Sequence, residues 1–149
     1  MSLKHNPDLN SLKNTIIDLL LRINIYKPGD EQLVVDAFAN ASDHPFHDDF
    51  KAYIGEGPRG YTIEEYERGI IFKRERGCPM EHVVYRVLFD AIQTMTHKAL
   101  LDRYQVDNRD RHLNYTDELM AEWGELIEEA FRDIGEEYWN MYRGKKEME

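Results

Sequence analysis

The chain contains one cysteine, Cys78, and three serines, Ser2, Ser11 and Ser42. A single thiol excludes an intrachain disulfide framework and any multi-cysteine metal site. None of the serines lies in the Gly-x-Ser-x-Gly elbow of a hydrolase. Long apolar runs are missing too: Ile16-Ile17 ends at Asp18 and Leu19-Leu20-Leu21 ends at Arg22. A membrane-spanning helix needs about 20 consecutive apolar residues, so none is expected. The segment from Met1 to Asp8 lacks a basic region leading into an apolar stretch with a small-residue cleavage site, and the expectation is a cytoplasmic protein. Basic residues are in deficit, with 19 Lys and Arg against 29 Asp and Glu, a formal charge of −10. That balance disfavours binding nucleic acid through a broad basic face, and disfavours an anionic membrane surface.

What is present reads as one globular domain of 149 residues, with 42% hydrophobic and 32% charged residues. Asn6-Pro7-Asp8 resembles a helix start, with Asn6 able to cap and Pro7 pre-set for the first helical position. Leu9, Leu12, Ile16, Leu20 and Ile23 follow with the spacing of one buried helical face, and Pro28-Gly29 is expected to stop it. Leu33, Val34, Ala37, Phe38 and Ala41 predict a second, shorter helix from about Asp30.

The β-prone runs Ala52-Tyr53-Ile54, Tyr61-Thr62-Ile63 and Ile70-Ile71-Phe72 are separated by the turn signals 55–60 and Gly69. They predict a small antiparallel meander of two or three strands, partly exposed at Glu64, Glu65 and Glu67, with Gly69 at a bulge or turn. From Pro79, the residues Val83, Val84, Val87, Leu88, Ala91, Ile92, Met95 and Ala99 form one apolar stripe, broken at 106–109. A final helix carrying Leu119 to Tyr138 is expected to end near Gly144, with 145–149 a frayed charged tail. The predicted class is α+β, mostly helical, with two long C-terminal helices.

Two local clusters invite chemistry. Asp43, His44, His47, Asp48 and Asp49 offer ligands for a divalent metal or an acid/base pair. They equally suit a polar loop in which Asp43 or Asp48 caps a turn. Neither His-Glu-x-x-His nor Glu-x-x-His occurs in the chain, which removes the usual zincin and di-iron signatures. Cys78 has Arg74, Arg76 and His82 nearby and a helix starting at Pro79, surroundings that lower a thiol pKa. A lone cysteine at a helix boundary is also a common structural residue. The glycines Gly55, Gly57 and Gly60 do not lead from a strand into a helix and make no phosphate loop.

The acidity is concentrated. Between Leu113 and Trp139 there are nine acids and one base, Arg132, so this stretch carries −8 of the total. Glu118, Glu122, Glu125, Glu129, Asp133 and Glu136 recur at intervals of three and four and therefore share one helical face. Such a row suits docking to a cationic partner, and it also describes an ordinary solvated face.

The run Tyr61-Thr62-Ile63-Glu64-Glu65-Tyr66-Glu67-Arg68-Gly69, a long helix carrying Tyr85, and Asp107-x-Arg109 followed by Leu119-Met120 resemble the immunity protein 63 family of bacterial polymorphic toxin systems. Tyr61 stands for the family's leading aromatic, while Glu67, Arg68 and Gly69 match its Glu-Arg-Gly. The likeness spans Ala52 to Trp123. Ile63 replaces a second aromatic, Leu113 a phenylalanine and Thr116 a glutamine.

The resemblance implies a protein without a cofactor that neutralises a cognate toxin, such as a basic nuclease domain, by direct binding. It gives Glu67 and Arg68 a structural role tying the strand to the helical layer. Tyr138, Trp139 or Tyr142 would serve as aromatic anchors, and the protein would be a monomer or homodimer. Two alternatives stand beside it: a metal-dependent enzyme using Asp43, His44, His47 and Asp48, and a self-associating structural protein.

Overall fold

The computed structural model describes residues 7–39, 51–104 and 116–147. Helix α1 spans Leu9–Leu20 and buries Leu12, Ile16 and Leu20, the stripe expected from their spacing. Its cap differs from the sequence expectation. Asp8 is the cap and accepts the Ser11 N–H at 2.7 Å, so Pro7 stands before the cap instead of in the first turn. The helix also stops earlier, at Leu20, and a series of turns carries the chain to Gly29. Ile23 remains buried within those turns. Asp30 accepts the Lys27 N–H at 2.9 Å and so closes the turn across Pro28-Gly29 with its side chain. Helix α2, Gln32–Phe38, then buries Val34 and Ala37.

Three antiparallel strands follow in the order β1-β2-β3: β1 Ala52–Gly57, β2 Gly60–Glu67 and β3 Ile70–Cys78. Gly69 lies in a turn. Arg68 and Gly69 both have positive φ, 52° and 78°, the mirror-image geometry that matches strand twist in a two-residue hairpin. The inward residues Ala52, Ile54, Tyr61, Ile63 and Cys78 enter the core, whereas Ile70, Ile71 and Phe72 are 73%, 42% and 57% exposed. Glu65 departs from the expected exposure and is buried, because Arg86 on the following helix meets its carboxylate.

Helix α3, Met80–Arg103, runs through the centre and buries Val83, Val84, Val87, Leu88, Ala91, Ile92 and Met95. The break expected at 106–109 lies outside the described residues. What reads in sequence as one final helix is two: α4, Asp117–Ile134, and α5, Glu136–Glu147. Thr116 caps α4 by accepting the Leu119 N–H at 3.2 Å. Gly135, at φ 140°, turns the chain between the two helices. α5 passes straight through Gly144, so 145–147 is helical and not frayed. Lys146 reaches Glu128 at 3.0 Å, and Lys145 sits 5.1 Å from the centre of the Tyr85 ring. The architecture is α+β, a three-stranded sheet covered on one face by helices whose apolar stripes share one core.

Candidate functional site

The acidic row lies along α4, a helix fixed to the core by Leu126, Ile127, Ala130, Phe131 and Ile134. The six residues are not equivalent. Arg103 pairs with Glu122, and Tyr104 donates its hydroxyl to the same carboxylate at 2.6 Å. These contacts, the tyrosine hydroxyl first, hold Glu122 below the usual carboxylate range. Asp133 accepts the backbone N–H of Asn24 at 2.9 Å. Glu136 lies beyond the Gly135 break, in the first turn of α5. Glu118, Glu125 and Glu129 are exposed and have no hydrogen-bond or ion-pair partner among the described residues. Glu128, which the row omits, faces Lys146 and Arg132. The free carboxylates are therefore fewer than periodicity alone suggests, and they lie on one side of α4.

The expected anchors change more. Tyr138 and Tyr142 are buried in the core and unavailable to a partner. Trp139 is partly buried, with Arg132 and Arg143 at 4.6 Å and 5.8 Å from the ring centroid. Tyr104, held by Glu122, is a half-exposed aromatic beside the acidic row.

Among the motif residues, Tyr61 is buried and donates its hydroxyl to the Pro7 carbonyl. Tyr85 stacks on Phe131 at 5.6 Å between ring centres. Glu67 ends β2, Arg68 and Gly69 form the turn, and all three are exposed. One polar tie between sheet and helices is made by other residues. Arg86 on α3 meets Glu65 and donates through Nε to both Asp90 oxygens at 3.2 Å, while Asp90 accepts the Ala52 N–H at 3.0 Å. Burial pushes the Asp90 carboxyl up, against the pull of Arg86. Asp107, Arg109 and the cluster Asp43, His44, His47 and Asp48 lie outside the described residues.

A second cluster forms where β3 meets α3. His82 Nε2 lies 3.1 Å from Glu75 Oε2, and the Cys78 Sγ is 3.9 Å from the same oxygen. Of the two readings of Cys78, the lowered thiol is not what its surroundings favour. Burial first, and then the Glu75 charge and hydrogen bond, push the Cys78 thiol up. His82 stands four residues from Cys78 in the sequence, whereas Glu75, three residues before it on β3, carries no local sign of facing the same way.

No family model matches the chain, and it has no significant match among curated proteins or solved structures.

Proposed function

We propose that the protein is an immunity-type inhibitor that binds a cognate toxin domain directly, with the outer face of α4 steering a cationic partner into place. The carrying observation is the set Glu118, Glu125 and Glu129, exposed and without partners among the described residues, on a helix whose opposite side is locked into the core. Like charges at three- and four-residue spacing repel by a few tenths of a kcal/mol per pair. The fold sustains that cost on one surface while placing Arg103, Lys146 and Arg132 against the neighbouring Glu122 and Glu128. A preorganised row of carboxylates raises the encounter rate with a basic surface and aligns it before short-range contacts form. The likeness of Glu67-Arg68-Gly69 and its companions to immunity proteins supports the same reading.

The test is co-expression with the toxin domain encoded by the adjacent gene. Cell survival and a stable complex are expected. The triple reversal Glu118→Lys, Glu125→Lys and Glu129→Lys should slow association about tenfold or more at low salt and flatten its salt dependence. Unchanged association at low ionic strength would overturn the proposal for this face.

A further inference from the structure

Strand geometry separates residues three apart onto opposite faces, since side chains alternate. Glu75 and Cys78 violate that rule. In the β2–β3 register Ile63 opposes Glu75 and Tyr61 opposes Cys78, so three steps on β3 are matched by two on β2. The extra residue is a bulge, and Gly77 within it takes φ 66°, the left-handed conformation that glycine adopts without strain. Ile63 and Tyr61 both point inward and are buried, so the bulge turns Glu75 and Cys78 to the same helix-facing side. Pro79 then starts α3, whose first turn presents His82 to both. One thiol, one imidazole and one carboxylate converge, with their ligand atoms all within 4.8 Å of one another.

We propose that Glu75, Cys78 and His82 form a zinc site. A tetrahedral zinc centre has bonds of about 2.0–2.3 Å to such ligands, so their donor atoms stand roughly 3.3–3.8 Å apart. The Glu75–His82 and Glu75–Cys78 separations, 3.1 Å and 3.9 Å, fall just below and just above that range, and the third lies within 4.8 Å, so side-chain adjustments of an ångström or so, on the order of a rotamer shift, would bring all three onto one ion. A thiolate with imidazole is a donor set that selects zinc over magnesium or calcium. The carboxylate is already divided between two tasks. Oε1 faces Lys73 at 3.2 Å, leaving Oε2 turned toward Cys78 and His82 as a single ligand atom. His82 and Glu75 are about one-third exposed, so water has access to the fourth position. On binding, the Cys78 thiol gives its proton to solvent and its sulfur lone pair to the metal, while His82 binds as neutral imidazole. The ion would staple the end of β3 to the start of α3.

Cobalt(II) reports such a site directly. Full-length protein stripped of metal and kept reduced is titrated with cobalt(II), then with zinc(II). One equivalent of cobalt should produce a near-ultraviolet thiolate charge-transfer band and visible bands of tetrahedral intensity, both removed by one equivalent of zinc. Cys78→Ser should abolish the charge-transfer band, and His82→Gln and Glu75→Gln should each weaken cobalt binding at least tenfold. A variant with Asp43, His44, His47 and Asp48 replaced by alanine should keep the band. Absence of the band in the unmodified protein overturns the proposal. So does a band of unchanged affinity in His82→Gln, whose partly exposed position makes it the decisive variant should Cys78→Ser fail to fold.

Discussion

Phe131 on α4 lies nearly flat against Tyr142 on α5, with ring centres 4.7 Å apart and planes inclined by 10°. Phe131 also stacks on Tyr85 of α3, so one fully buried ring joins three helices. Phe131→Ala should cost about 3–5 kcal/mol, the range for emptying a buried aromatic site, and Phe131→Leu roughly half as much. Urea denaturation checks both. Equal losses for the two variants would mean that ring stacking, not volume, holds the helices together.

Arg86 stands between two carboxylates, Glu65 and Asp90. Arg86→Met keeps much of the side-chain length but leaves both acids in their sites without the guanidinium. A loss of about 3–5 kcal/mol is expected. Adding Glu65→Leu to Arg86→Met should recover part of it, because the second change removes one stranded charge. A double variant no more stable than the single one would show that the loss is one of packing alone.

Two glycines with positive φ separate conformational strain from crowding. Gly69, at φ 78°, has open space where a Cβ would point, so Gly69→Ala should cost only the left-handed conformation, about 1–2 kcal/mol. Gly60, at φ 146°, would place a Cβ 2.8 Å from the Cys78 carbonyl oxygen and 3.0 Å from the Gly77 carbonyl carbon. Gly60→Ala should therefore be the more damaging by about 1 kcal/mol or more. Thermal unfolding of the pair, run side by side, decides this; equal losses would show that the strand end yields freely.

Burial pushes the Tyr138 hydroxyl up to about 12, with the charges of Glu137 and Glu81 acting in the same direction. The folded protein therefore holds this proton more tightly than the unfolded chain, whose tyrosines ionise near pH 10. Between about pH 10 and pH 12 the native state binds the extra proton, and stability falls as pH rises, by at most about 1.4 kcal/mol per pH unit from this group. Tyr138→Phe should flatten that alkaline decline. An unaltered slope in denaturation curves from pH 9 upward would exclude Tyr138 as its source.

Helix α1 was legible because Leu12, Ile16 and Leu20 repeat on one face, and the hairpin turn at Gly69 because few residues but glycine suit it. The break at Gly135 was not. Ile134 and Tyr138 keep the helical period on both sides of it, and Gly124 and Gly144 sit in uninterrupted helix. Glycine alone therefore does not mark a stop. Glu65 read as exposed because its partner Arg86 is 21 residues away, beyond any local pattern. The acidic face was visible as a period, but not which of its members the fold uses internally: Arg103 and Tyr104 take Glu122, and the Asn24 amide takes Asp133. Glu75 escaped notice because strand alternation assigns it to the face opposite Cys78. Only the bulge register reverses that assignment.

Among the described residues β3 is an edge strand, and Ile70, Ile71 and Phe72 on it are exposed. An exposed apolar edge is where sheets recruit further strands and grow into fibres. This edge carries its own brake. A parallel in-register copy would stack Arg74 on Arg74 and Lys73 on Lys73. The cations that follow the apolar triplet oppose that mode of propagation, and two bulges, one between Ile71 and Lys73 and one at Gly77, interrupt the straight run.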